Sequence, residues 1–312
     1  MAPARLLRLA TRASPLALAQ VELVAAGLAA ATSGRVLVEP FPIETHADLH
    51  TLPVHTIGGR GVFVTEVEKA VLDGRADAAV HSAKDVPSSP GMTSLEIAAV
   101  LEREDARDCL VGASLAGLRP GALVATGSVR RRAQLAWLRP DLTFGELRGN
   151  IGTRLGKLPE GGAIVAAFAA LKRLAMAARA DQVLSTTEML PQVGQGAILV
   201  ACRSGDEETL DLLRPVDHAG SARAIACERA FLARVGGGCD LPVGAYARYL
   251  SGGRLSLEAM VASFDGHVLV RGALEGSAGD ARELGEALAG HLLEQRGAAA
   301  LLGRAASSGA AP

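Results

Sequence analysis

The sequence predicts a mixed α/β protein with more than one domain, and three observations support that prediction. A chain of 312 residues corresponds to about two or three domains of ordinary size. Its composition, with 49% hydrophobic and 21% charged residues, is that of a folded protein rather than a disordered one. Over much of the chain, short apolar or β-branched runs alternate with Ala- and Leu-rich helical segments, which is typical of parallel α/β sheets.

The individual elements of this region follow from the apolar runs and the turn signals between them. Strands are predicted over 6–10, 36–43 and 78–80, and helices over 15–31 and 65–72. Pro15 stands in the first turn of its helix, where proline is tolerated because the missing N–H has no helical partner. After Pro120 the alternation predicts strands over 122–126, 142–146, 163–167 and 197–202, with helices over 129–137 and 151–158.

The pattern changes in the last third of the chain. A helix is predicted over 221–234, and three glycines follow it at 236–238. Strands of alternating pattern are predicted over 244–250, 255–261 and 267–271, and a final helix over about 280–293. Successive strands flanked by helices predict a small α+β domain at this end.

Charge and hydropathy exclude several classes of protein. The formal net charge of -1 argues against a general nucleic-acid binder, which is usually strongly basic. The longest unbroken apolar run, 163–171, has nine residues, whereas a membrane span needs about 18 or more. The four cysteines contain no C-x-x-C pair and have no histidine at zinc-like spacing, so neither a disulfide scaffold nor a structural metal site is expected.

The compartment predicted from these features is the cytoplasm. Four scattered thiols fit a reducing environment. The first twenty residues are Arg-rich and free of acidic residues, which also resembles a transit peptide. We favour the alternative, in which this stretch contains the first buried strand and the start of the first helix.

The largest local excess of charge lies between residues 130 and 157. Of the 32 basic residues in the chain, 28 are arginines, and several of these stand at two predicted helix starts, after Ser128 and after Asn150. Helix N-termini favour anions, and guanidinium groups bind carboxylates through two parallel hydrogen bonds. The segment therefore predicts a site for a small polyanion, although a solvated basic helix face would have the same pattern.

Two further segments contain reactive residue types. His81-Ser-Ala-Lys84-Asp85 follows a predicted strand, at the edge where open α/β sheets bind ligands. Asp85 could act there as a base or stabilise a developing cation, although a salt-bridged turn is the alternative. Cys239 follows three glycines that allow close approach, so it is either an attachment point or a buried inert thiol.

Taken together, these segments resemble the porphobilinogen deaminase (hydroxymethylbilane synthase) family over essentially the whole chain. The resemblance lies in eight motifs that occur in the family's order. They are residues 8–18, 58–63, 80–87, 103–108, 127–131, 148–154, 190–197 and 237–245.

The resemblance implies an α/β protein of three domains. Two of them would be α/β lobes like those of type II periplasmic binding proteins, and the third a small α+β C-terminal domain. The implied boundaries are 1–99 with 200–217 for domain 1, 100–199 for domain 2 and 218–312 for domain 3. Domain 3 would carry a dipyrromethane cofactor joined to Cys239 by a thioether.

The implied activity is that of a transferase in tetrapyrrole and heme biosynthesis. Four molecules of the small-molecule substrate porphobilinogen would be condensed head to tail onto the covalently bound dipyrromethane, with release of four ammonia. Hydrolysis would then give hydroxymethylbilane. The family also implies a monomer, with neither nucleic acid nor a membrane as partner.

The site residues are carried over position by position from the family's motifs. Asp85 matches the catalytic carboxylate, which stabilises positive charge passing along the growing chain. The positions that match cofactor-binding residues are Cys239, Lys84, Asp48, Ser82, Thr126, Ser128, Arg130, Arg131 and Arg154. The positions that match substrate-binding residues are Arg12, Ser14, Arg148, Arg173 and Gln195.

The chain departs from the family's pattern at Ala47, Ala170 and Ala201, where glycine, glycine and glutamate are usual. None of these departures removes the catalytic or the attachment residue. Two alternatives remain: a non-catalytic solute-binding protein with the same two lobes, and an RNA-binding protein that uses its arginines. The 3% aromatic content weakens the second alternative, because it leaves few rings on which bases could stack.

Overall fold

The computed structural model describes residues 4–44, 62–88, 94–238 and 240–308, with only the backbone described at 62, 63 and 304–308. The chain forms two compact units. Unit 1 comprises Met1–Glu104 and Gly196–Ala222, and unit 2 comprises Asp105–Gln195 and Arg223–Pro312. The three-domain boundaries drawn from the resemblance stay a prediction.

The described elements are as follows. The strands are β1 Arg5–Arg12, β2 Val36–Ile43, β3 Ala78–Ser82, β4 Leu95–Val100, β5 Asp108–Val111, β6 Leu123–Ala125, β7 Thr143–Gly145, β8 Ala163–Ala167, β9 Gln182–Val183, β10 Ile198–Arg203, β11 Val243–Leu250, β12 Arg254–Ala262 and β13 Leu269–Ser277. The α-helices are α1 Pro15–Thr32, α2 Val62–Leu72, α3 Val129–Leu138, α4 Ile151–Leu155, α5 Phe168–Arg173, α6 Glu207–Leu213, α7 Ala219–Val235, α8 Ala281–Gly290 and α9 Ala298–Ser308.

Unit 1 is built on a five-stranded sheet with the order β2-β1-β3-β10-β4. β1 is parallel to β2 and to β3, as the alternation of strands and helices predicts. β10 is antiparallel to both β3 and β4, so the sheet is mixed and this strand departs from the parallel arrangement that the alternation predicts. A crossover helix makes successive strands parallel, but the chain enters β10 from unit 2 and is free of that constraint.

Helix α1 contributes part of the core of unit 1. Its buried residues Val21, Val24 and Leu28 pack with Leu7 and Leu9 of β1. By length and composition α1 could also cross a membrane. Single polar residues interrupt its sequence, so it contains no long unbroken apolar run. Core helices of water-soluble domains pass the same test, so the composition of α1 is weak evidence for a membrane span.

The first part of unit 2 repeats this architecture. Its five strands have the order β7-β6-β8-β5-β9. β6 is parallel to β7 and β8, while β5 is antiparallel to β8 and β9. The reversed strand is the fourth in each sheet, so the two sheets have the same spatial arrangement, which confirms the expected likeness of the two lobes.

The second part of unit 2 is a three-stranded antiparallel sheet, β11-β12-β13, covered by α7 and α8. Phe231, Leu257 and Leu288 are fully buried in its core. The small α+β domain expected from the sequence is confirmed. β13 extends to Ser277, beyond the predicted end at 271. Gly272 interrupts its apolar pattern. A Cβ at this position would lie only 2.8 Å from the side chain of Leu292, so a larger residue would clash.

Candidate active site

A cleft in unit 1 lies at the carboxyl ends of two adjacent parallel strands. β1 ends at Arg12, and β3 ends at Ser82, where a short 3-10 turn, Ala83–Asp85, continues the chain. Ligands of open α/β sheets bind at this edge. The cavity has a volume of about 50 Å³, and its lining includes Thr11, Arg12, Ser14, Gln20, His81, Ser82 and Asp85.

The structure thus brings together four of the residues singled out from the sequence: Arg12, Ser14, Ser82 and Asp85. Asp85 is exposed, and the other three are half-buried. Lys84 stands beside Asp85 in the turn and is also half-buried. A carboxylate, a guanidinium and two hydroxyls in one cleft can bind a ligand that has both N–H groups and carboxylates.

Hydrogen bonds orient the two hydroxyls of this cleft. Ser14 caps α1, because its Oγ accepts a hydrogen bond from the backbone N–H of Ala17 at 3.3 Å. Gln20 Nε2 donates to Ser82 Oγ at 2.7 Å, so the Ser82 hydroxyl keeps its own hydrogen for another acceptor. Sequence reasoning missed Gln20. The feature of the sequence that could have indicated Gln20 is its amide side chain within the apolar first half of α1.

His81 is a second residue of this cleft that was not among the predicted site residues. It is 7% exposed, and its Nε2 has no hydrogen-bond partner among the described residues. Burial, followed by the charge of Arg12, lowers the pKa of His81 to about 4. The imidazole is therefore neutral near pH 7. It is the first residue of the segment that also contains Lys84 and Asp85.

In unit 2, a buried ion cluster stands at the start of α3. Asp108 Oδ2 is 2.8 Å from Nη2 of Arg130, and Asp108 Oδ1 lies 3.0 and 2.8 Å from Nε and Nη2 of Arg131. Asp108 is fully buried, and the two arginines are 2% and 6% exposed. Two guanidiniums against one carboxylate leave the cluster with one excess positive charge.

Asp108 is the acidic partner that sequence reasoning missed. The predicted polyanion segment contains only Asp141 and Glu146 as acids, and the partner comes instead from β5. Burial by itself would raise the pKa of Asp108, but the charges of Arg130 and Arg131 and a hydrogen bond from Gln195 lower it to about 2. The cluster therefore stays ionised at neutral pH.

Gln195 lies within this cluster and is 1% exposed. Its Nε2 donates to Asp108 Oδ1 at 2.9 Å and to the carbonyl oxygen of Ala106 at 2.7 Å. The structure thus places a residue expected to bind substrate against the acid that binds the two arginines.

The remaining predicted residues of unit 2 stand at helix ends. Ser128 caps α3 by accepting a hydrogen bond from the N–H of Arg131 at 3.4 Å, and the buried Thr126 accepts one from the N–H of Ser128 at 3.2 Å. Arg154 Nε donates to the carbonyl of Gly149 at 2.7 Å. Arg148, Arg154 and Arg173 are half-buried. Helix α4 ends at Leu155, three residues before its predicted end.

Two predicted residues, Asp48 and Cys239, lie outside the described part of the chain, as does Ala47. The other three cysteines are buried. Burial raises the pKa of Cys109 and Cys227 to about 12 and that of Cys202 to about 11, so these thiols are unreactive at neutral pH. Among the described residues, no group of three or more His, Cys, Asp or Glu could hold a metal ion.

Two family profiles match the chain. The profile described as "Porphobilinogen deaminase, dipyromethane cofactor binding domain" matches residues 7–211, and "Porphobilinogen deaminase, C-terminal domain" matches residues 222–294. A porphobilinogen deaminase of Roseiflexus castenholzii is 49% identical over 306 residues, covering 95% of this chain and 99% of the relative. One from Roseiflexus sp. (strain RS-1) is 49% identical over 302 residues, covering 94% and 97%.

Solved structures give a weaker likeness. A periplasmic solute binding protein of Ochrobactrum anthropi is 12% identical, with 69% of this chain and 74% of that chain covered and a TM-score of 0.41. An overlap this small carries no argument about the fold, for which the evidence is the shared strand order of the two sheets.

The profiles and the relatives agree over nearly the whole chain. The chain belongs to the porphobilinogen deaminase family, and it is accordingly a transferase of tetrapyrrole biosynthesis that binds a dipyrromethane cofactor and polymerises porphobilinogen.

Proposed function

We propose that Asp85 is the catalytic carboxylate of this enzyme and that Cys239 is the point of cofactor attachment. The observation that carries the first assignment is the cleft at the carboxyl ends of β1 and β3, which Asp85 lines together with Arg12, Ser14 and Ser82. The assignment of Cys239 is supported by elimination, because the other three thiols are buried and have raised pKa values.

The donor chemistry of the described residues fits a dipyrromethane. Its carboxylates need cationic or hydroxyl donors, and its pyrrole N–H groups need an acceptor. In unit 2, Arg130 and Arg131 exceed their acid partner by one charge, and Arg130 Nε has no hydrogen-bond partner among the described residues. In unit 1, the Ser82 hydroxyl can donate, and the Asp85 carboxylate can accept.

The residues that would hold the cofactor are assigned within each unit. When bound, the dipyrromethane supplies the pyrrole carbon to which the first substrate molecule is joined. In unit 1 the proposed ligands are Ser82, Lys84 and Asp48, of which Asp48 lies outside the described residues. In unit 2 they are Thr126, Ser128, Arg130, Arg131 and Arg154.

The roles of the remaining site residues follow from the charges of their side chains and of the substrate. Asp85 accepts hydrogen bonds from pyrrole N–H groups and stabilises positive charge that develops on the substrate when ammonia leaves. In unit 1 the proposed ligands of the acetate and propionate groups of porphobilinogen are Arg12 and Ser14, and in unit 2 they are Arg148 and Arg173. A low net charge on the whole chain is compatible with this assignment, because the excess of basic residues between 130 and 157 is balanced by acidic residues elsewhere.

The proposal extends to the state of the protein. We place the enzyme in the cytoplasm as a monomer, with porphobilinogen as its partner and without nucleic acid or membrane. The buried, unreactive thiols suit a reducing compartment. Domain 1 is proposed to comprise 1–99 and 200–217, domain 2 residues 100–199, and domain 3 residues 218–312.

The intact mass of the purified chain tests the cofactor assignment. We expect a mass above that of the polypeptide by one dipyrromethane, and the loss of this increment in Cys239→Ser. Cys202→Ala, which changes a buried thiol, serves as the matched control and should keep the adduct. A chain that is active while its mass equals that of the bare polypeptide would contradict the proposal.

A further inference from the structure

Asp108 has no role among the proposed ligands, yet it contacts two of them. Its carboxylate is fully buried and bonds to three side chains: Arg130, Arg131 and Gln195. Because the carboxylate is buried, solvent does not compete for its oxygens, and these hydrogen bonds are stronger than they would be in water. Arg131 donates from both Nε and Nη2 to the single oxygen Oδ1, and these two hydrogen bonds restrict the orientation of its guanidinium.

The Nη1 atoms of the two guanidiniums are also held. Arg131 Nη1 donates to the carbonyl of Val165 at 3.1 Å, and Arg130 Nη1 donates to the carbonyl of Leu190. Leu190 is fixed in turn by Gln134, whose Oε1 accepts from the N–H of Leu190 at 2.8 Å. These contacts leave each arginine a single orientation within unit 2.

Gln195 is oriented from the small α+β part of unit 2. Glu228 of α7 is fully buried, and it accepts hydrogen bonds from the N–H of Gly194 and the N–H of Ala247, both at 2.8 Å. The loop that presents Gln195 to Asp108 is therefore tied to α7 and β11. A continuous set of buried hydrogen bonds connects α7 to the two arginines.

We propose that Asp108 is a positioning residue that orients Arg130 and Arg131 for the carboxylates of the cofactor and sets their combined charge at one excess positive unit. This inference rests on the proposed function, in which the two arginines bind those carboxylates. Gln195 acts through Asp108 by fixing its Oδ1, and it is not a direct ligand. Without the carboxylate, two buried guanidiniums would repel each other and leave their common orientation.

The rate at which the full-length chain acquires its adduct tests the proposal. Cofactor-free chain is incubated with increasing porphobilinogen, and intact mass gives the fraction carrying the adduct over time. In Asp108→Asn we expect the half-saturating concentration of porphobilinogen to rise at least tenfold. A merely structural role would reduce the fraction of competent protein and leave that concentration unchanged, which would overturn the proposal.

Two variants serve as controls. Asp141→Asn removes an exposed carboxylate that pairs with Arg139 at 2.7 Å. This variant should acquire its adduct at the same half-saturating concentration of porphobilinogen as the unchanged chain. Arg131→Gln separates this inference from the proposed function. If Arg131→Gln loads normally, the proposed function fails. If Arg131→Gln is impaired while a folded Asp108→Asn loads normally, only the positioning role of Asp108 fails.

Gln195→Met decides the question if Asp108→Asn does not fold. This variant keeps all three charges and removes only the hydrogen bonds from Nε2. We expect its half-saturating concentration to rise at least threefold with circular dichroism unchanged, and an unchanged concentration overturns the proposal. Where Asp108→Asn folds, the double variant with Gln195→Met should have the same half-saturating concentration of porphobilinogen as Asp108→Asn alone. Both changes act through one carboxylate. Multiplying effects would instead make Gln195 a direct ligand and contradict its assigned role.

Discussion

Asp108 at the start of β5 and Arg131 in the first turn of α3 form an ion pair in which one oxygen, Oδ1, accepts from both Nε at 3.0 Å and Nη2 at 2.8 Å. Both side chains are almost completely buried. The pair joins the reversed strand of the second sheet to the helix that contains the proposed cofactor ligands. A buried ion pair thus holds the guanidinium of Arg131, which is one of the proposed cofactor ligands.

Replacement of Asp85 by asparagine should separate attachment from turnover. Asp85→Asn keeps the size of the side chain but removes the charge that stabilises the cationic substrate, so we expect the adduct mass to remain while turnover falls by at least a hundredfold, about 3 kcal/mol in activation free energy. Intact mass and a porphobilinogen-consumption assay measure the two quantities. Near-normal turnover would refute the catalytic role.

The buried His81 should make the stability of the protein depend on pH. Because its pKa in the folded chain is about 4, against about 6.5 unfolded, the unfolded state binds the proton first as the pH falls. The stabilisation is therefore complete above pH 6.5 and is lost as the pH falls toward 4, by about 3 kcal/mol. Urea unfolding at pH 7.5 and 4.5 should show a smaller loss for His81→Gln than for the unchanged chain. The exposed His267 provides the control, since His267→Gln should leave the loss intact.

Thiol labelling should distinguish Cys239 from the other cysteines. The pKa values of Cys109, Cys202 and Cys227 are raised to about 12, 11 and 12, so their thiolates are scarce at pH 8 and these residues should resist a maleimide. We expect one label per cofactor-free native chain, none in Cys239→Ser, and four in denaturant, one for each cysteine of the sequence. Labelling of more than one thiol in the native chain would contradict the assignment.

Gly149 should be required for the start of α4. Its φ is +111°, and a Cβ there would lie 2.9 Å from Cβ of Thr153, so Gly149→Ala should destabilise the fold by about 1 to 3 kcal/mol. Thermal unfolding measures the effect. Gly152→Ala is the matched control in the same helix, because a Cβ there would have no contact closer than 3.5 Å, and it should be neutral or slightly stabilising. Equal effects at both positions would argue against backbone strain at Gly149.

The local features of this protein could be read from its sequence. The alternation of apolar runs and helical segments predicted β1, β2, β3 and β8 together with α1 and α3, because apolar runs and helix-forming composition are visible over a few neighbouring residues. Short elements with little periodicity escaped prediction, among them β4, β5, β9, α5 and α6. The motif around Lys84 and Asp85 was expected at the carboxyl end of a strand and lies there.

The sequence by itself determined the family, the two kinds of domain and the residue types of the site, since motifs and periodicity depend on neighbouring residues along the chain. Only the tertiary structure decided which acid pairs with Arg130 and Arg131, that Gln195 faces that acid, and that β10 runs against its neighbours. Asp108 and Gln195 are 87 residues apart in sequence, and the fold brings them within 2.9 Å. Contacts of that kind form when separate strands and loops pack together, and no local pattern encodes them.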